Sequence, residues 1–191
     1  MPSGAKKPSP SANVKERLLD TADRLFYAEG IRAVGIDRVL AEADAAKASL
    51  YQHFGSKDGL VAACVQRRVE RGRAQVASYL QSVPAAERAL KIFDWIVDWV
   101  ESPEFRGCPM QHVVSEIPNQ DHPARKVALE QRDWFRKQFV DALKATGVSH
   151  PTRMAGALMV LYDGALAASE QDGPQRASDA RWIAKQLLQR D

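Results

Sequence analysis

Residues 36–57 read IDRVLAEADAAKASLYQHFGSK, and they decide the fold of this chain. Apolar residues recur at helical spacing twice, in residues 36–43 and again in residues 46–54. Only Asp44 and Ala45 separate the two sets. A gap this short suits the tight turn of a helix-turn-helix. The sequence therefore predicts two short helices that share one buried face.

The second of these helices turns polar and small side chains outward when Leu50 and Phe54 face the core. Lysine and tyrosine side chains can reach phosphates, a glutamine amide can pair with adenine, and small residues allow close approach to base edges. We expect Lys57 and Tyr51 to hold phosphates, and Gln52 and Lys47 to approach bases. The full set of candidate DNA-binding residues is Gly35, Ile36, Lys47, Ala48, Ser49, Tyr51, Gln52, His53 and Lys57. The alternative is a helical hairpin that only packs, but a packing helix has little reason to expose so many polar groups.

This stretch resembles the DNA-binding segment of the TetR family of transcriptional regulators, which commonly reads close to I-A-x-x-A-G-V-S-x-G-T-L-Y-x-H-F-x-S-K-x-x-L. The matching residues are Val39, Leu40, Ala43, Lys47, Ser49, Leu50, Tyr51, His53, Phe54, Ser56, Lys57 and Leu60. Asp44 stands where the family has a turn glycine, and aspartate tolerates left-handed backbone better than most residues. Ala46 replaces a serine, so a hydroxyl that could cap the second helix of the helix-turn-helix is missing. Ala48 replaces a glycine.

The resemblance implies an all-α fold with an N-terminal three-helix helix-turn-helix domain and a C-terminal helical domain for ligand binding and dimerisation. It divides the chain into a disordered basic tail at residues 1–12, a DNA-binding domain at residues 13–58 and a ligand-binding and dimerisation domain at residues 59–191. It also implies a homodimer on a near-palindromic operator in double-stranded DNA. A regulator of this kind, most often a repressor, responds to a small-molecule effector and is not an enzyme.

Charge and cysteine content agree with this division. Residues 1–80 hold 13 basic and 9 acidic side chains, a net charge of +4, whereas residues 81–191 hold 14 basic and 15 acidic ones. Basic excess in one part of a chain is the expected footprint of a nucleic-acid-binding module. The two cysteines form no disulfide framework, so we expect a cytoplasmic protein. The N-terminus lacks the apolar segment of a signal peptide, and no apolar run is long enough to cross a membrane.

The C-terminal part carries aromatic and sulfur-containing side chains on several predicted helices. One helix, opened by Ser82 and Pro84 and running to about Glu101, is apolar around most of its circumference, which suits a wall of a cavity or an element wrapped by neighbours. The candidate ligand-binding residues are Trp95, Trp99, Met110, His112, Trp134, Phe139, Met159 and Tyr162. The alternative is a filled core, because aromatic side chains at helical spacing are commonly packing residues. No cofactor is predicted.

The last two predicted helices carry small and aliphatic residues that suit close helix packing. Two such helices from each of two chains would form a four-helix interface. The candidate dimerisation residues are Gly156, Gly164, Ala168, Ile183 and Leu187.

Other interpretations remain open. Cys108, His112 and Glu116 recur at intervals of four residues, so they could hold a metal ion, although no second set of ligands lies nearby. Cys108 and His112 could instead be the nucleophile and base of a helical thiol enzyme, but nothing marks a third orienting group. A third alternative is a DNA-binding regulator that has no ligand.

Local signals complete the prediction. We expect Ser11 or Asn13 to cap the first helix, Ser56 the fourth and Ser149 the eighth. The arginines at positions 67, 68, 71 and 73 have two interpretations, and we favour a solvated face of the fourth helix.

Overall fold

The computed structural model describes residues 14–189, and this part of the chain confirms the predicted all-α fold, with no strand. The basic tail at residues 1–12 and the caps proposed at Ser11 and Asn13 lie outside the described residues. The helices are α1 (Val14–Glu29), α2 (Ile36–Ala43), α3 (Lys47–Phe54), α4 (Lys57–Leu80), α5 (Arg88–Val100), α6 (Pro109–Glu116), α7 (Pro123–Thr146), α8 (Pro151–Asp172) and α9 (Gln175–Gln189), with a 3₁₀ turn at Ala85–Glu87.

The chain forms two compact units that do not follow a single cut in the sequence. Among the described residues, the first unit comprises residues 14–70 and 109–129, and the second comprises residues 71–108 and 130–189. The first unit therefore contains α6 and the beginning of α7 in addition to the helix-turn-helix. The functional division at residue 58, drawn from the resemblance, stays a prediction.

The core of the first unit forms because α1 to α4 each turn an apolar stripe inward. Leu18 and Leu25 of α1, Val39 of α2, Leu50 of α3 and Leu60 of α4 are fully buried. Burying a side chain of this size stabilises the fold by about 1.5–3 kcal/mol relative to leaving it exposed. Residues of α6 and α7 complete the same core: Val113, Ile117, Ala124 and Ala128.

The turns around the helix-turn-helix follow the sequence signals. α1 ends at Gly30, whose φ of 95° is available to glycine without strain. Asp44 adopts the left-handed conformation predicted for it, with φ 47° and ψ 59°. The N–H of Ala45 donates to the carbonyl of Leu40 at 3.1 Å, which closes α2. The predicted cap at Ser56 is confirmed, because its Oγ accepts a hydrogen bond from the N–H of Gly59 at 3.0 Å.

In the second unit, α5 packs against α8 and α9, and α8 packs against α9. Its most buried large side chains are Ile92, Phe93, Ile96, Phe139, Leu143, Leu158 and Leu166.

One predicted helix start agrees with the structure and another is wrong. Pro84 is the N-cap of the 3₁₀ turn at Ala85–Glu87, which continues directly into α5 at Arg88, and α5 ends at Val100. The N-cap of α8 is His150, not Ser149, and His150 makes no side-chain cap bond. The physical reason is Pro151: its fixed φ suits the first helical position, which makes the residue just before it the cap.

The expectation of a solvated arginine face on α4 is wrong for Arg67 and Arg68. Arg67 is only 13% exposed, and it donates to Asp20 Oδ1 at 2.7 Å and to the carbonyl of Leu19 at 2.9 Å. Arg68 pairs with Asp23, and its guanidinium lies 4.2 Å from the centre of the Tyr27 ring. The acidic side chains of α1 recur at helical spacing, so they meet both arginines and join α1 to α4.

Within residues 14–189, none of the helices combines the length and the apolar character that a bilayer crossing requires.

Gly59 lies in the first turn of α4, where its backbone passes close to the end of α3. A Cβ atom added there would lie 1.9 Å from the carbonyl oxygen of Phe54, far inside van der Waals contact. The same oxygen belongs to the last residue of α3, and Gly55 (φ 75°) turns the chain between the two helices. Gly59 therefore allows α4 to start directly beneath the end of α3.

We predict that Gly59→Ala lowers the free energy of unfolding by about 1–3 kcal/mol or more, because the methyl group forces α3 and α4 apart. Gly72→Ala is the matched control in the same helix, since a Cβ atom at Gly72 meets nothing within 4 Å. That change should stabilise the protein by roughly 0.5–1 kcal/mol through helix propensity. Urea unfolding of both variants measures the contrast; equal effects would contradict the steric account.

Candidate nucleic-acid interface

Most of the surface of α3 is exposed to solvent. Leu50 is its one fully buried residue, and Phe54 is half-buried against the core of the first unit. The side chains that the sequence predicted to face DNA lie on the exposed side: Lys47, Ala48, Tyr51, Gln52 and His53. Ser49 is half-buried, and Tyr51 is 46% exposed, which is unusual for a large aromatic side chain. An exposed row of this kind is free to enter a major groove.

The helix α2 adds the start of a second exposed edge. Gly35 is its exposed N-cap residue, and Ile36 is its half-buried first residue. Neither Gly35 nor Ala46, the N-cap of α3, provides a side-chain cap bond, although both have the extended backbone that a capping residue needs. No side-chain cap therefore competes with an anionic partner such as phosphate at these two helix starts, although the N–H of Ser49 already donates to the carbonyl of Ala46 at 3.0 Å.

Arg17 holds the turn between α2 and α3, a role that the sequence pattern did not reveal. Its Nε donates to the carbonyl of Ala43 at 3.0 Å, and its Nη2 donates to the carbonyl of Asp44 at 2.7 Å. These carbonyls end α2 and lack partners within that helix. A single guanidinium from α1 therefore fixes the point at which the chain turns into α3.

Lys57 holds the other end of α2. Its ammonium donates to the carbonyl of Ile31 at 2.8 Å and to the carbonyl of Val34 at 2.7 Å. It also lies 5.8 Å from the centre of the Phe26 ring. An ammonium has three donors, so two of them are engaged inside the protein. The phosphate contact predicted for Lys57 stays a prediction and would use the third donor.

Four charged side chains join α1 to the outer side of α2. Arg38 pairs with Glu29 and with Glu42, and Arg24 donates to Glu42 at 2.6 Å. Hydrogen bonds to Glu29 and then Glu42 raise the pKa of Arg38, and the bond from Arg24 lowers the pKa of Glu42. The pairs are exposed, so solvent screens them and each contributes little to the stability of the fold.

Six aromatic residues of the second unit form one continuous cluster, at one end of which Phe105 lies 5.5 Å from Trp99. Trp95 and Trp99 stack with ring centres 5.2 Å apart, and Phe135 lies 6.0 Å from Trp95, 5.0 Å from Trp134 and 4.7 Å from Tyr162. The structure thus brings together four of the predicted ligand-binding residues. Phe135 at the centre of the cluster was absent from the predicted set, although its inward position on α7 could be read from the helical spacing.

The remaining predicted ligand-binding residues are placed differently. Phe139 is fully buried 5.8 Å from Phe93, and Met159 is buried in α8, so both have the surroundings of core residues. Met110 and His112 belong to the first unit, whereas the aromatic cluster belongs to the second. Burial raises the pKa of Tyr162 well above its ordinary value, so its hydroxyl stays protonated in the physiological range.

A small pocket of about 30 Å³ lies inside the first unit between α1, α4 and α6. Its lining includes Tyr27, Cys64, Arg68 and His112, and the His112 ring lies 6.1 Å from that of Tyr27. Burial raises the pKa of the Cys64 thiol to about 12. A thiol with that pKa carries almost no thiolate at neutral pH and is chemically inert.

The metal and thiol-enzyme alternatives gain no support. No group of three or more potential metal ligands comes together within the described part of the chain. The carboxylate of Glu116 instead accepts a hydrogen bond from the backbone N–H of Arg32 at 3.0 Å.

The predicted dimerisation residues fall on α8 and α9. Gly164 is exposed, Ile183 is 39% exposed, and Gly156, Ala168 and Leu187 are half-buried. Two larger exposed residues of the same helices were absent from the prediction: Val160 at 69% and Trp182 at 63%. They are the most exposed of the large apolar side chains in the described residues.

Comparison with known proteins agrees with this geometry. The profile described as "Bacterial regulatory proteins, tetR family" matches residues 18–64. The crystal structure of SCO4454, a TetR-family transcriptional regulator from Streptomyces coelicolor, is 36% identical, with a TM-score of 0.87 over 92% of this chain and 94% of that one. The transcriptional regulator LmrA of Bacillus subtilis is 25% identical over 71% of this chain and 73% of its own length. The transcriptional repressor SCO4008 of Streptomyces coelicolor is 27% identical over 69% of this chain and 70% of its own length.

We predict that Ala46→Ser raises the free energy of unfolding by about 0.5–2 kcal/mol, because the hydroxyl can cap the first turn of α3. The backbone at Ala46 (φ −73°, ψ 147°) already suits a capping serine. Ala48→Ser is the control: it makes the same chemical change on the exposed face inside α3, where serine is a slightly poorer helix former. Thermal unfolding that shows no gain for Ala46→Ser over Ala48→Ser would contradict the capping account.

Proposed function

Because this chain belongs to the TetR family of DNA-binding transcriptional regulators, we propose that it is a repressor that an apolar or aromatic small molecule releases from its operator. The observation that carries the DNA-binding part is the exposed face of α3, which is anchored by Leu50 and held in place at both ends of α2 by Arg17 and Lys57. A short helix that is rigidly mounted and polar on its outer face is the element that reads base edges in a helix-turn-helix.

The proposed assembly is a homodimer formed through α8 and α9. The exposure of Val160, Trp182 and Ile183 supports it, because large apolar side chains at such positions mark an interaction surface. A twofold dimer presents two recognition helices to successive major grooves about 34–36 Å apart, which is why we propose a near-palindromic operator.

The proposed effector is mostly apolar because the second unit offers aromatic surface. Trp95, Trp99 and Trp134 are each half-buried, so part of every ring is accessible in the single chain. Arg73 adds one polar feature: its guanidinium lies 5.5 Å from the centre of the Trp134 ring and donates to Gln131 Oε1 at 2.7 Å. Apolar walls with a few placed polar groups are typical of small-molecule sites.

Repression as the sign of regulation is supported by one relative, SCO4008, which is named a transcriptional repressor. The direct test is a selection in which the purified protein retains fragments of its own genome. Recovery of fragments that share a near-palindrome and lie upstream of genes whose transcripts rise on deletion of the protein would support repression. Falling transcripts would indicate an activator, and an absence of retained fragments would refute the DNA-binding function.

Gln52 and Tyr51 should affect DNA binding in different ways. We predict that Gln52→Ala relaxes the preference at one base pair of each half-site by about 1–3 kcal/mol, because the bidentate amide contact is lost. Tyr51→Phe removes only a hydroxyl and should weaken binding to all sequences by a similar factor, as expected for a phosphate contact. Binding to a set of single-base operator variants measures both effects. If Gln52→Ala weakens every operator variant equally, Gln52 does not read a base.

Trp99 should link the effector to DNA release. We predict that an effector quenches tryptophan fluorescence and releases DNA over the same concentration range, and that Trp99→Ala moves both curves to higher concentration together. Trp99→Phe is the control, since it keeps an aromatic ring against Trp95 and Phe105. DNA affinity without effector should stay nearly unchanged in both variants. A DNA-release curve that does not move, or a failure of every apolar compound to loosen the complex, would favour a regulator without a ligand.

A further inference from the structure

The connection between α1 and α2 is bonded from two sides by residues of opposite charge. From one side, the Lys57 ammonium of α4 holds the carbonyls of Ile31 and Val34. From the other, the Glu116 carboxylate at the end of α6 accepts the N–H of Arg32 at 3.0 Å. Carbonyl groups of this short segment are thus bound by α4, and an N–H group of the same segment is bound by α6, although the two helices lie far apart in sequence.

The position of Glu116 depends on Gly30. A Cβ atom at Gly30 would lie 3.2 Å from Glu116 Oε2, so the absence of a side chain lets the carboxylate approach the connection. The end of α6 is itself fixed, because Arg125 donates to the carbonyls of Val114 at 2.7 Å and Ile117 at 2.9 Å. Val113 and Ile117 are buried in the same core as α1. The carboxylate therefore extends from a helix end that hydrogen bonds and core packing hold in place.

The backbone segment that Glu116 binds continues directly into the proposed DNA-binding surface. Arg32 precedes Gly35, the N-cap of α2, by three residues, and the buried Val34 lies between them. A hydrogen bond fails once its heavy atoms separate beyond about 3.5 Å, so a displacement of α6 by roughly 1 Å breaks this one or moves the connection with it. The position of α6 is in this way tied to the backbone that begins α2.

We propose that Glu116 is a positioning residue for DNA binding, which couples α6 to the start of α2 through the N–H of Arg32. The proposal rests on the DNA-binding function and not on the proposed effector. Glu116 itself touches no DNA. A variant that shifts α6 changes operator affinity through this bond.

The test uses the full chain and a genomic fragment retained by the wild-type protein. Glu116→Ala removes the acceptor and should weaken binding roughly 2- to 10-fold, the loss expected for one net hydrogen bond. Glu116→Gln keeps an acceptor oxygen without the charge and should restore most of the affinity. Ser115→Ala, on the same helix, is the matched control, because the Ser115 hydroxyl donates to the carbonyl of His112 within α6 itself.

The sign of the effect separates positioning from simple electrostatics. If Glu116 acts only by repelling the phosphates, both Glu116→Ala and Glu116→Gln should bind DNA more tightly than the wild type. Hydrogen exchange adds a readout that needs no DNA: the Arg32 amide should exchange several-fold faster in Glu116→Ala, and near the wild-type rate in Glu116→Gln and Ser115→Ala.

The proposal is overturned if Glu116→Ala binds DNA as tightly as the wild type and leaves Arg32 exchange unchanged. If Glu116→Ala does not fold, Glu116→Asp replaces it, since the shorter side chain keeps the charge but loses the reach; unchanged affinity and exchange in that variant overturn the proposal equally. If the wild-type protein retains no DNA at all, the proposed function fails, and Arg32 exchange still decides whether Glu116 holds the connection.

Discussion

A recognition helix must leave most of its surface free, and this requirement limits how it can be held. In α3 the burial of Leu50 supplies the main hydrophobic anchor, and the outer side chains contribute nothing to the core. One buried leucine stabilises the fold by about 1.5–3 kcal/mol, which is comparable to the backbone entropy lost by one or two ordered residues. The orientation of α3 therefore depends on its neighbours, namely the turn held by Arg17 and the close approach of α4 at Gly59.

Much of the fold could be predicted because its signals are local. Helical spacing around Leu50, the cap at Ser56 and the left-handed turn at Asp44 each follow from residues within a few positions. The outward placement of Tyr51 and Gln52 follows from the same spacing. Predicting these features required no knowledge of contacts between distant residues, which is why the predictions agree with the structure.

Most of the misjudged features depend on contacts between residues far apart in sequence, whereas the start of α8 was misjudged although its cause, Pro151, is local. Arg67 pairs with Asp20 across 47 positions, and no local pattern distinguishes a paired arginine from a solvated one. Arg17 and Lys57 bond to main-chain carbonyls, which every sequence contains, so their partners leave no trace in residue type. The aromatic cluster was only partly recovered, because helical spacing gives the inward face of Phe135 but not its neighbours on other helices.

The use of main-chain oxygens by Arg17 and Lys57 bears on how such a protein changes during evolution. A carbonyl is present whatever side chain its residue carries, so the groups that these cations bind do not depend on the residue types at positions 34, 43 and 44. The exposed side chains of α3 can then change while the bonds that hold the turn before α3 stay the same. Different DNA-sequence preferences can arise on one unchanged arrangement of helices, because the groups that hold α3 in place are separate from the side chains proposed to read the bases.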